Sequence, residues 1–293
     1  FKGGNLVQTA LRHPSRWHRE TAIRILGDRK SPRYNEQLKK AVLKETGQPA
    51  LQALWALNLG GGFGKETALQ TLKHPSPHVR RWTIRLLGDQ HEVSPQVAKA
   101  LVEFAAREPD AETRSQLAST ASRLNAEAAL PILAQLIRRK EDLDDPHIPQ
   151  LVWWAFEAHA SDHDALLDFF RDSSNWDTHL RTDGALPQQN LIRRWALSGT
   201  QAELETCARL LRLSPDAENT GRLLKGFGKA YEGRTLPPLP ASFTQALSEA
   251  RGQDGLLLAI RQKDAEAIDK ALALLKNPKH PVEQGIQLAR ALG

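Results

Sequence analysis

Several groupings of side chains in this 293-residue sequence have the types and spacing to do chemistry. Arg80-Arg81-Trp82, Arg193-Arg194-Trp195 and Arg16-Trp17-His18-Arg19 set guanidinium groups beside indoles. Such faces can grip phosphates while stacking bases. They can equally pack tryptophans between helices while the arginines bond to carboxylates or to the carbonyls of helix C-termini, with Asp28 and Asp89 as available partners. A second grouping, Glu157, His159, Asp162, His163 and Asp164, has imidazoles at i and i+4, a spacing that holds zinc when both lie on one continuous helix. Ser161-Asp162 reads as a helix cap, however, which places the two histidines on successive helices and the cluster on the surface. The run Gly60-Gly61-Gly62-Phe63-Gly64-Lys65 before a helix suits an anion cradle. Its spacing is wrong for a Walker loop and no strand precedes it, so an inter-helix turn with a glycine cap is expected.

Two further groupings are weaker. Glu141-Asp142-Leu143-Asp144-Asp145 could attract calcium, but it lacks the glycine and distal glutamate of a calcium loop, and a solvated loop is expected. Cys207 recurs at helical spacing with Leu204, Ala208 and Leu211, which makes it a small buried hydrophobe rather than a nucleophile. A single cysteine excludes an internal disulfide, a Cys-rich metal site and a C-x-x-C-H haem attachment. No set of Ser, His and Asp has a distinguishing local context. The residue pattern therefore assigns no catalytic, metal-binding or cofactor-binding residue.

Composition is that of a globular chain: 40% hydrophobic and 25% charged residues, with a net charge of +6. No stretch approaches about 18 consecutive apolar residues and Phe1-Lys2-Gly3-Gly4 has no apolar signal core, so no membrane insertion is expected of this region. The absence of methionine reads as a piece cut from a longer protein. Charge is uneven along the chain, at +10 for residues 1–90, −8 for 91–180 and +4 for 181–293. The basic first third can attract nucleic acid, an acidic protein surface or an anionic membrane.

The elements that must position these residues are set by a repeat. The segment His13-Pro14-Ser15 through Gly27-Asp28 recurs 61 residues later as His74-Pro75-Ser76 through Gly88-Asp89, with nine of sixteen positions identical. Gln48-Pro49 followed by Ala50 to Leu57 lies midway, giving a period near 30 residues that stretches towards 40 further on. Partner helices are predicted at 35–45, 64–73, 94–107, 127–140, 162–170, 201–213, 242–251 and 265–276. In the third of these, Ser94 caps a helix opened by Pro95, with Val97, Leu101, Phe104 and Ala105 on one face. Residues 233–240, rich in Gly and Pro, read as a linker. Helical hairpins at this period bury their apolar stripes only by stacking, which predicts an all-α solenoid: a single array over 1–293 of roughly eight repeats, coiled as a right-handed superhelix.

The units resemble HEAT repeats, through Pro75-Ser76-Pro77-His78-Val79-Arg80 followed by Leu86, Leu87 and Asp89. The phrases Arg16 to Ala22, Ala53 to Leu57, Val79 to Trp82 and Asp145 to Glu157, in that order, resemble the HEAT-repeat region of large membrane-bound dehydrogenases of Planctomycetes and Verrucomicrobia. That resemblance implies a periplasmic or otherwise exported parent in which a dehydrogenase-like propeller precedes the repeats and a c-type haem domain follows. It implies no catalytic residue and no cofactor in this region. The Trp, Arg and Asp content also resembles the groove of HEAT-like DNA glycosylases that excise alkylated bases.

The expectation is a non-catalytic scaffold that contacts protein or flanking domains of the same chain through Arg16, Trp17, Arg19, Arg80, Arg81 and Trp82. Trp153 and Trp154 are expected to be structural. The alternative is a nucleic-acid-binding or base-excising solenoid that uses the same basic groove.

Overall fold

The computed structural model describes residues 6–177, 186–249, 256, 259–260, 265–277 and 281–292. Among these, regular structure is helical and there is no strand. Contacts divide the chain into two compact units, one ending at Ala155 and one beginning at Phe156.

In the first unit, α1 (Arg16–Arg29), α3 (Gly47–Leu59), α5 (Pro77–Gly88) and α7 (Ala111–Ala121) pack on one another in order as one layer. A second layer is built from α2 (Pro32–Lys44), α4 (Lys65–Thr71), α6 (Pro95–Ala105) and α8 (Ala126–Leu136). The chain passes from the first unit to the second within α9 (Ile148–Ala158). Each helix sends an apolar stripe between the layers: Ala22, Ile23 and Leu26 from α1, Leu38 and Val42 from α2, Ile84 and Leu87 from α5, Val97 and Leu101 from α6. Each fully buried aliphatic side chain contributes about 1.5–3 kcal/mol. The repeated glycines sit where layer neighbours cross most closely. A Cβ on Gly27 would lie 2.9 Å from Leu59 Cβ, and one on Gly88 would lie 2.8 Å from Thr120 Cγ2.

Local signals fix the helix starts. Ser94 accepts the Val97 amide ahead of Pro95, and Asp110, Asn125, Asp162, Thr200 and Asp216 cap their helices in the same way. The Gly60 region is an inter-helix turn. Gly60 ends α3 in a right-handed conformation, and the positive φ of +75° falls on Gly61.

The hairpin turns share one device, and it repeats. In His13-Pro14-Ser15 and His74-Pro75-Ser76, the imidazole Nδ1 accepts the serine amide at 3.1 Å; in Glu108-Pro109-Asp110, the Glu108 carboxylate accepts the Asp110 amide at 2.9 Å. Six residues on, Arg19, Arg80 and Arg114 each donate back to the carbonyl of that first turn residue, at 2.8, 3.0 and 3.0 Å. The far side of each guanidinium then reaches the next hairpin. Arg80 binds Glu108 in a fork, Nε to Oε2 at 2.8 Å and Nη2 to Oε1 at 2.6 Å, and Arg114 binds Asp142 the same way, Nε to Oδ2 at 2.7 Å. Arg19 instead meets the buried side-chain amide of Gln52, which turns its oxygen to Arg19 Nε in the orientation that satisfies both ends of the amide.

In the second unit, α11 (Pro187–Ser198) packs on α13 (Ala217–Ala230), while α10 (His163–Arg171), α12 (Gln201–Arg212) and α14 (Ala241–Glu249) form the layer against them. Its core is aromatic, with Phe156, Phe170 and Trp176 at one end and Phe227 stacked on Phe243 at 4.5 Å at the other. Residues 231–240 carry no helix. Helices α15 (Ala265–Leu275) and α16 (Val282–Leu292) share a small cluster of Ile260, Ala267, Ala271 and Leu288. Arg251, at the end of the helix expected over 242–251, lies outside the described residues.

Candidate interaction surface

Of the six residues expected to touch a partner, two are used inside the fold. Arg19 is held by the carbonyls of His13 and Pro14 and by Gln52, and Arg80 by those of His74 and Pro75 and by Glu108. The Arg80 side chain is 13% exposed and that of Glu108 1%.

Arg81 and Trp82 point the other way, because the arginine at 80 fixes the rotation of α5. Together with Arg85 they line an open groove of about 470 Å³ that is completed by Glu112 and Gln116 of α7 and Leu151 of α9. Trp82 stands edge-on to Trp55 of α3, with ring centres 4.9 Å apart, and the Arg85 guanidinium lies 5.2 Å from its ring centre. Arg81 forms an ion pair with Glu112 and meets His78 Nδ1 at 3.3 Å. The same corner holds Asp110. Burial would raise its carboxyl, but hydrogen bonds from the Thr113 hydroxyl and amide and the nearby Arg80 and Arg81 outweigh this and hold it below the usual range.

Arg16 and Trp17 do not line this groove. They open α1, where Arg16 pairs with Glu20 at 2.6 Å and Trp17 is 66% exposed, edge-on to His18. The second Arg-Arg-Trp phrase is split: Trp195 is buried and donates from Nε1 to the Ala160 carbonyl at 2.8 Å, while Arg193 and Arg194 are exposed. Trp153 is buried as expected, but Trp154 is 53% exposed, because consecutive helical positions point about 100° apart.

The remaining groupings resolve as follows. His159 lies just beyond α9 and His163 opens α10 under the Asp162 cap, and no group of three His, Cys, Asp or Glu among the described residues is placed to hold a metal. Cys207 is buried, its thiol directed at the Ile192 carbonyl, and burial pushes its pKa up. The acidic run differs from the solvated loop expected of it. Asp142 is buried, because Arg114 reaches it from the preceding hairpin. Asp89 pairs with Arg123 rather than with an arginine of the Arg-Trp phrases.

Residues 65–145 match a family model of HEAT repeats. The matched segment spans α4 to α8 and contains both forked ion pairs, Arg80–Glu108 and Arg114–Asp142, as well as the Arg81, Trp82 and Arg85 side of the groove. No curated protein matches the chain. Among the described residues the chain is all-α, and each unit is assembled from stacked helical hairpins, the construction of an α-solenoid. No helix among the described residues is long and apolar enough to cross a membrane. Repeats of the matched kind are helical scaffolds usable for protein interaction. The groove over α5 and α7 carries the aromatic and guanidinium side chains of Trp82, Arg81 and Arg85.

Proposed function

We propose that this chain is a non-catalytic scaffold, without a cofactor of its own, that holds protein modules through the α5–α7 groove. The observation that carries the reading is Trp82 in that groove, backed by Trp55 and covered by Arg85. A rigid indole beside an arginine is the residue chemistry that dominates protein–protein binding energy. The modules proposed are a dehydrogenase-like propeller and a c-type haem domain of one exported, periplasmic protein, supported by the resemblance of the Arg16 to Ala22 and Asp145 to Glu157 phrases. Duplex nucleic acid is disfavoured as the occupant because Arg19 and Arg80 are spent internally and Arg81 is paired with Glu112.

Titration calorimetry of the chain against a propeller domain and a c-type haem domain tests this. Binding is expected to weaken at least tenfold in Trp82→Ala and Arg85→Glu. Unchanged binding in both variants contradicts the site. Duplex DNA affinity that falls linearly in log K against log salt contradicts the partner class.

A further inference from the structure

The other helix layer of the first unit carries a second groove, of about 460 Å³, between α4 and α6. Its cause is a difference in length: α4 has 7 residues and α6 has 11, so the shorter helix leaves part of its neighbour uncovered. Leu69 and Leu72 from the α4 side and Phe104 from α6 supply an apolar floor, with Leu69 and Phe104 half-buried. Around it stand Lys73, Lys99 and Arg107, all exposed, and none of the three enters an ion pair among the described residues. Glu103, four residues on from Lys99 along α6, is the one acid among the lining residues and leaves the rim net cationic.

We propose that this groove docks an acidic amphipathic helix of a partner protein. Such a helix complements the groove in charge and in shape. Lys99 stands on α6 and Arg107 in the turn that closes it, eight residues on, so carboxylates about two turns apart on a helix laid along this edge can meet both. The apolar stripe of that helix, at i, i+3, i+4 and i+7, then covers the half-buried Phe104 and Leu69. A nucleic acid supplies the negative charge but no aliphatic side chain for the floor. This face belongs to a different layer from the α5–α7 groove, and its occupancy does not depend on the reading of that groove.

The test uses the full chain and a fluorescein-labelled peptide of about 15 residues with Leu at the stripe positions and Glu elsewhere, a length at which a helix can form on binding. Fluorescence anisotropy is expected to show binding that weakens at least tenfold in the double variant Lys99→Glu/Arg107→Glu. Both positions are exposed, and an unchanged circular dichroism spectrum verifies that the variant folds. A peptide with Ser replacing Leu is expected to bind the native chain at least tenfold more weakly, and a peptide with Lys replacing Glu to bind the double variant in preference to the native chain. Three results overturn the proposal: equal affinity of the Leu/Glu peptide for native and double-variant chains; equal affinity of the Ser and Leu peptides; or duplex DNA, or a second copy of the chain in sedimentation, engaging Lys99 and Arg107 more tightly than the peptide does.

Discussion

The Arg114 guanidinium, 4% exposed, lies in a fork against the Asp142 carboxylate, 1% exposed, with Nε donating to Oδ2 at 2.7 Å. The same guanidinium donates from Nη1 to the Glu108 carbonyl at 3.0 Å, and Glu108 in turn receives Arg80. Three consecutive hairpins are thus tied through nearly dry polar groups, and each tie is made by the arginine six residues into its own turn.

Removing one member of such a pair leaves an uncompensated buried charge. Asp142→Ala is expected to destabilise the chain by about 3–5 kcal/mol, whereas Arg114→Met combined with Asp142→Leu is expected to cost little or to stabilise. Urea unfolding of the single and double variants measures both. A loss in the double variant as large as in the single one contradicts the assignment.

Adjacent arginines in the sequence have unequal roles. Arg80→Ala strands Glu108 and is expected to cost about 3 kcal/mol, while Arg81→Ala, which loses a partly exposed pair with Glu112, is expected to change stability by about 0.5 kcal/mol or less. Thermal unfolding separates the two.

Much of this fold was legible in the sequence, and the reason lies in particular residues. The recurrence of His13-Pro14-Ser15 as His74-Pro75-Ser76 gave the period, and Ser94-Pro95 and Ser161-Asp162 marked helix starts that the coordinates place at Pro95 and His163. Capping and amphipathic spacing act within a few residues, so sequence carries them. Glu108 and Asp142 were not legible, since each sits among charges that read as solvent-facing and meets its arginine across 28 residues. A signal did exist: Arg80 and Arg114 both lie six residues after a turn-opening residue, and an acid stands 28 residues beyond each. The groove is a similar case. Arg81 and Trp82 were legible as a pair, but Arg85, Glu112 and Leu151 join them only through helix stacking.

The depressed carboxyl of Asp110 sets a pH dependence. Its folded-state pKa lies below the unfolded value near 3.9, so its contribution is complete above about pH 5 and is lost as pH falls through the folded value. Asp110→Asn is therefore expected to flatten the acid limb of stability against pH below about pH 4. Asp110→Ala removes the α7 cap as well and is expected to cost about 1 kcal/mol at pH 7. Urea midpoints across pH read both effects.

Two glycines of α13 predict opposite signs. A Cβ on Gly226 would collide with the Gln189 carbonyl oxygen of α11, so Gly226→Ala must force the helices apart and is expected to cost about 2 kcal/mol or more. A Cβ on Gly228 meets nothing within 4 Å, and Gly228→Ala is expected to stabilise the helix by about 0.5–1 kcal/mol. Chemical denaturation of the two variants side by side measures the difference.

Hydrogen exchange of the chain alone and with a saturating propeller or haem domain tests the scaffold account most directly. The account predicts added protection concentrated in Pro77–Gly88 and Ala111–Ala121, the helices that bear Trp82, Arg85 and Glu112, and its loss in Trp82→Ala. Protection confined to other helices, or no change with either domain, would contradict it.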